Sequence, residues 1–135
     1  MKYFLVTCAL CAAPAYAETQ NPGLGQQMSA EEYDRFTIGR TLAFGRDGQE
    51  PYGVERYMSD RRVIWAFTGG DCSQGYWYPK ADMICFAYED FDTEQCWRFY
   101  NDKGRLSATF ASDLDTVTQY QILDDAALFC PDFGA

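Results

Sequence analysis

The chain has 135 residues, with 11 basic and 20 acidic side chains and a formal net charge of −9 at pH 7. This acidity excludes nucleic acid and anionic membrane surfaces as expected partners, since both would repel the chain. Histidine is absent, which removes the commonest general base and metal ligand. Aromatic residues make up 17% of the chain, so a core or groove built from rings is expected.

The first residues have the features of a secretory signal peptide. Lys2 supplies a short positive region, residues 4–13 are apolar, and residues 15–17 (AYA) match a cleavage site. The apolar stretch is shorter than the roughly 20 residues that a membrane-spanning helix needs, so no membrane span is expected after cleavage. We therefore expect a signal peptide over residues 1–17 and a mature protein that is periplasmic or secreted.

The mature chain is predicted to open with a polar, flexible lead-in over residues 18–27, followed by a single domain over residues 28–135. A short helix is expected near residues 30–38. Ser29 and Glu32 have the spacing of a capping box at its start.

From residue 41 onwards the chain shows a β-strand pattern. Short runs rich in aromatic and β-branched residues are separated by tight turns. Sequential strands joined by short turns usually pair as neighbours. The pattern predicts a mainly β fold, a curved antiparallel meander or small barrel with one short N-terminal α-helix. The predicted strands cover residues 41–44, 53–58, 62–67, 75–78, 83–88, 95–100, 105–110 and 116–123.

Removal of the signal peptide would leave four of the six cysteines, and an even number in an exported domain favours disulfides. No C-x-x-C pair remains for zinc or redox chemistry. Cys85 and Cys96 would lie almost opposite each other in a hairpin, close enough for a cross-strand disulfide. Four cysteines allow three pairings, and this one leaves Cys72 with Cys130.

The sequence offers few groups for catalysis. With no histidine and with oxidised cysteines, neither the usual base nor a thiolate is available, and no serine lies in a G-x-S-x-G motif. Most acids fall in predicted turns, and the alternating acids of residues 90–94 lack the glycine and the closing glutamate of a calcium loop. We therefore expect a non-enzymatic protein with no catalytic residues, no metal site and no cofactor.

Aromatic side chains on the predicted strands could line a ligand-binding groove. Aromatic residues that alternate along strands also form ordinary core and cross-strand pairs, so both interpretations stay open. The candidate groove residues are Trp65, Trp77, Trp97, Tyr76 and Tyr88.

Three motifs between residues 53 and 100 carry a family resemblance. They are a strand with Arg62-Val63-x-Trp65, a turn and strand with Gly75-x-Trp77, and the pairs Cys85-Phe86 and Cys96-Trp97 on successive strands. This stretch resembles a family of small exported proteobacterial proteins of unknown function, domain-of-unknown-function family 995. The resemblance implies export from a Gram-negative cell and a shared fold, and it implies no activity.

Three functions are compatible with these features. The first is a non-catalytic exported binding or interaction module for an unknown protein or small molecule, with a basic partner suited to the acidic charge. The second is an inhibitor of a periplasmic or secreted enzyme such as a lysozyme, because lysozyme inhibitors are likewise small, exported, disulfide-bearing β proteins. The third is a small hydrolase that works through paired carboxylates.

Overall fold

The computed structural model describes residues 23–46, 48–123, 128 and 130–133. The expected signal peptide (residues 1–17) and the first part of the lead-in lie outside the described residues. The described part contains one α-helix, α1 (Ala30–Thr37), and nine β-strands. The strands are β1 (Gln26–Gln27), β2 (Thr41–Gly45), β3 (Gly53–Tyr57), β4 (Arg62–Phe67), β5 (Cys72–Lys80), β6 (Met83–Tyr88), β7 (Gln95–Asp102), β8 (Arg105–Phe110) and β9 (Asp113–Leu123).

Strands β2 to β9 form a closed antiparallel barrel. Each pairs with the next in chain order, and β9 also pairs with β2, so that the eight-stranded sheet closes on itself. The closing seam runs from the pair Thr41–Leu123 to the pair Gly45–Gln119. The predicted mainly β fold with one short helix is confirmed, and the sheet adopts the closed form of the two that the sequence allowed.

The short strand β1 extends the pairing of β7. Gln26 pairs with Asn101 and Gln27 pairs with Tyr100, beyond the part of β7 that pairs with β6. These two glutamines belong to the segment for which a flexible lead-in was expected, and ordered structure therefore begins ahead of the helix.

Helix α1 closes one end of the barrel. At its start, the Ser29 hydroxyl accepts a hydrogen bond from the Glu32 amide at 3.2 Å, and the Glu32 carboxylate accepts one from the Ser29 amide at 2.8 Å. Tyr33 is fully buried, and its ring contacts Trp77 on β5 and Phe99 on β7. Contact with separate strands places Tyr33 inside the barrel. No helix in the described part of the chain is long and apolar enough to cross a membrane.

The described residues form two disulfide bonds, and their pairing is the one that the sequence favoured. Cys85 and Cys96 occupy directly paired positions of β6 and β7. Cys72, at the start of β5, is bonded to Cys130, which lies 58 residues later.

The second disulfide attaches the C-terminal segment to the outside of the barrel. Cys130 and Leu128 form a small buried cluster with Ile64 and Ala66 of β4. Strand β4 is therefore covered on both faces, by the interior core on one side and by this cluster on the other.

Candidate functional site

The barrel contains a cavity of about 140 Å³ at the end opposite to helix α1. Strand β3 connects the two ends of the barrel, since it runs from Gly53 at the cavity end to Tyr57 beside the helix. Glu55 lies between these two residues. Ten of the twelve described lining residues are aromatic, and the other two are Glu55 and Gln95. The aromatic lining residues are Phe44, Tyr52, Trp65, Phe67, Phe86, Tyr88, Phe91, Trp97, Phe99 and Tyr120.

Three of the five residues expected to form an aromatic groove line this cavity, namely Trp65, Tyr88 and Trp97. Trp77 is buried at the helix end of the barrel, and Tyr76 lies on the outer face with 54% of its surface exposed. Successive residues of a strand point to opposite faces, so Tyr76 and Trp77 could not both line one cavity.

Two glycines make room for rings of the cavity wall. A Cβ atom on Gly53 would lie 2.2 Å from the Cη2 atom of Trp65. A Cβ atom on Gly75 would lie 2.9 Å from the Cδ1 atom of Tyr88 and 2.2 Å from the carbonyl oxygen of Ala87. Glycine within a strand often marks a close approach of other groups to the backbone. Here the missing side chains allow the Trp65 and Tyr88 rings to lie directly over the sheet.

Glu55 is the central polar group of the cavity, and only 1% of its surface is exposed. Its Oε2 atom accepts a hydrogen bond from the Tyr57 hydroxyl at 2.8 Å, and its Oε1 atom accepts one from the Tyr88 hydroxyl at 2.6 Å. The hydroxyls of Tyr57 and Tyr33 are 2.7 Å apart. Because the Tyr57 proton is directed at Glu55, Tyr33 donates to Tyr57. A chain of hydrogen bonds thus connects helix α1 to the cavity wall.

Burial raises the pKa of the Glu55 carboxyl from 4.5 to about 7, although the hydrogen bonds from Tyr88 and Tyr57 act in the opposite direction. Burial, followed by the charge of Glu55, also raises the pKa of Tyr33, Tyr57 and Tyr88 well above the usual phenol range. These tyrosines therefore remain protonated donors near neutral pH. Glu55 is the member of this network whose charge changes there.

Tyr120 supplies a further polar group to the cavity. Its hydroxyl oxygen is buried and has no hydrogen-bond partner within the described part of the chain. Its ring is held by Phe44 and Phe99, with centroids 4.1 and 5.6 Å away. Buried polar groups are nearly always hydrogen-bonded, and a ligand in the cavity could provide the missing partner.

The mouth of the cavity is partly exposed and apolar. Tyr52 and Phe67 line the cavity, and 39% and 52% of their surfaces are exposed. A second hollow of about 620 Å³ shares Tyr52, Gln95 and Trp97 with the cavity, and we call it the outer groove. The charged residues described in the outer groove are Arg46, Glu50, Glu94 and Asp113.

A group with possible metal ligands lies elsewhere, at the β6–β7 hairpin. Ligand atoms of Cys85, Glu94 and Cys96 are within 4.8 Å of one another. The two sulfur atoms are bonded to each other, so this group offers no thiolate to a metal ion.

Glu55 and Tyr120 were not among the site residues expected from the sequence. The available signal for Glu55 was its place between Gly53 and Tyr57 on one face of a predicted strand. An acid flanked by a glycine and a tyrosine on the same face is compatible with either side of a sheet, so the pattern could not assign it to the interior.

Comparison of this chain with protein-family models, with curated proteins and with solved structures finds no match. The function therefore has to be inferred from the cavity itself.

Proposed function

We propose that this protein binds a small, largely apolar molecule inside its barrel. The observation that carries the proposal is the cavity of about 140 Å³, whose walls are aromatic apart from Glu55 and Gln95. Small-molecule sites are typically concave and mainly apolar, with a few polar groups that orient the ligand. Eight-stranded barrels are also wide enough to enclose one small ligand.

The size of the cavity suggests the size of the ligand. An apolar cavity of about 150 Å³ accommodates benzene. We therefore expect an occupant with a single six-membered ring, and a larger ligand would extend past Tyr52 and Phe67 into the outer groove.

Ligand binding has better support than the two alternative functions. Hydrolysis by paired carboxylates requires two acids about 5–9.5 Å apart on either side of the substrate. Among the described residues that line the cavity, Glu55 is the one acid. Inhibition of a basic enzyme is supported by the small, disulfide-bearing β fold and by the net charge, and neither of these identifies a contact surface.

The site of action that we propose is the periplasm or the exterior of the cell. The disulfides Cys72–Cys130 and Cys85–Cys96 support this location, because such bonds persist in oxidising compartments. The signal-peptide pattern of residues 1–17 agrees with it.

Titration of the 15N-labelled protein with toluene, followed by NMR, tests the binding function. We expect chemical-shift changes concentrated at the cavity residues. Gln95→Trp should abolish detectable binding, because Gln95 lines the cavity and a larger side chain there would fill it. Gln74→Trp is the matched control on β5, since its amide bonds to exposed Glu89 and it does not line the cavity.

The control variant should bind toluene as the wild type does. Unchanged wild-type spectra up to the solubility limit of toluene would contradict the proposal. Equal binding by Gln95→Trp and Gln74→Trp would contradict it as well, because binding would then lie outside the cavity.

A further inference from the structure

The cavity holds a buried carboxyl group that has no basic partner among the described residues. No lysine or arginine is among its described lining residues. Among the described residues, the titratable groups that interact with Glu55 are phenols, contributed by helix α1, by β3 and the loop before it, by β6 and by β9. They are Tyr33, Tyr52, Tyr57, Tyr88 and Tyr120. A buried carboxylate without a counter-ion is unfavourable, and a bound cation would offset that penalty.

The rest of the cavity suits the hydrocarbon part of an organic cation. The faces of aromatic rings attract positive charge, and tryptophan is the most effective of them. Trp65 and Trp97 both line the cavity, with phenylalanine and tyrosine rings between them. An organic cation would therefore meet a carboxylate and ring faces together, whereas an inorganic cation would lack the oxygen ligands that it needs.

We propose that the cavity binds a small aromatic or alicyclic amine, with its protonated nitrogen against Glu55 and its ring among the aromatic side chains. This inference depends on the ligand-binding function proposed above. A carboxylate can accept about four hydrogen bonds. Tyr57 and Tyr88 each donate one, so Glu55 retains capacity for an ammonium group. The Tyr120 hydroxyl, which has no partner among the described residues, can accept another of its N–H groups.

The outer groove favours the same class of ligand. Its described lining has three acids, Glu50, Glu94 and Asp113, against one base, Arg46. Glu94 also forms an ion pair with Lys80. With Lys80 included, these charges sum to −1, an acidic excess that attracts cations.

Isothermal titration calorimetry with toluene, benzyl alcohol and benzylamine tests the inference, because the three probes share a ring and differ in their polar group. The wild type should bind benzylamine about tenfold or more tightly than benzyl alcohol at a pH above the pKa of Glu55. This preference should shrink below that pKa, where Glu55 is protonated while the amine keeps its charge. The preference should disappear in Glu55→Gln and persist in Glu89→Gln, a matched change at an exposed residue that lines neither the cavity nor the outer groove.

The outcomes separate the two proposals. If toluene binds but benzylamine binds no more tightly than benzyl alcohol, the amine inference is wrong and the ligand-binding function stands. If none of the three probes binds, both are wrong. Should Glu55→Gln fail to fold, as judged by near-UV circular dichroism, the wild-type preference and its pH dependence still decide the question.

Discussion

Glu55 couples the site to the stability of the whole fold. Its carboxyl is buried beside Tyr57 and Tyr88, and its pKa is raised by burial from 4.5 to about 7. Between these two values the folded protein binds a proton that the unfolded chain releases. By linkage, the free energy of unfolding must then fall as the pH rises through that window.

The first prediction concerns this pH dependence. The contribution of protonated Glu55 to stability is fully present below pH 4.5 and is lost by about pH 7. A pKa change from 4.5 to about 7 corresponds to ~3 kcal/mol. Urea unfolding of the wild type and of Glu55→Gln should be measured across this pH range. The free energy of unfolding of the wild type minus that of the variant should fall as the pH rises. Parallel pH profiles for the two proteins would contradict the assignment.

The sequence allowed part of this site to be predicted, and the limit has a physical cause. Trp65, Tyr88 and Trp97 could be proposed because aromatic side chains on strands favour an interior or a groove. Glu55 could not, because its strand is covered on both faces. Val54 packs against the outer cluster while Glu55 faces the interior, so the usual alternation of apolar and polar residues is absent.

At the scale of secondary-structure elements, the local sequence pattern predicted helix α1 well. The capping box depends on residues three positions apart, so the spacing of Ser29 and Glu32 was enough to place the start of the helix. The helix matters to the site because Tyr33 donates to the Tyr57 hydroxyl, which in turn donates to Glu55.

The second prediction is that Ser29→Ala lowers the free energy of unfolding by about 1 kcal/mol, the usual effect of losing an N-cap hydroxyl. Only one of the two capping hydrogen bonds is removed, since Glu32 can still accept from the backbone amide of residue 29. Ser112→Ala, in an exposed turn, is the matched control and should leave stability nearly unchanged. Equal denaturation midpoints for the two variants would show that the cap is unimportant.

Strand β5 is longer than its predicted range of residues 75–78. The sequence predicted the strand to end at Tyr78, with a turn from Pro79 to Asp82. Proline lacks an N–H group and is disfavoured in a central strand. The observed strand continues to Lys80. Beyond Tyr76 the strand pairs with β6 and no longer with β4, so Pro79 occupies a one-sided position where its missing donor is tolerated.

At the scale of the whole molecule, the closure of the barrel could not be predicted from local patterns. Tight turns specify which strands are neighbours in sequence, and that accounts for every pairing from β2 to β9 in turn. The pairing of Thr41 with Leu123 joins opposite ends of the domain, and neither end carries a residue pattern that identifies its partner. The sequence therefore predicted a curved sheet or a barrel without choosing between them.

The seam between β2 and β9 affects the order in which the two disulfide bonds are expected to form. The β6–β7 hairpin that holds Cys85 and Cys96 needs only a local loop of 11 residues, whereas Cys72 and Cys130 are separated by 58. The longer loop carries an entropic penalty larger by about 1.5 kcal/mol. Cys130 also follows β9, the strand that closes the barrel. We therefore expect Cys130 to approach Cys72 only after the β6–β7 hairpin has formed.

We therefore expect the two disulfides to form one after the other during oxidative refolding of the chain without residues 1–17. Acid-trapped intermediates, mapped by mass spectrometry, should contain the Cys85–Cys96 bond before the Cys72–Cys130 bond. Cys72 is nearly as close to Cys85 in the chain, but β5 and β6 pair Cys85 with Tyr78, which disfavours that mispairing. Early dominance of Cys72–Cys130 would mean that the ends of the domain meet first, and that the barrel assembles from its seam rather than from its hairpins.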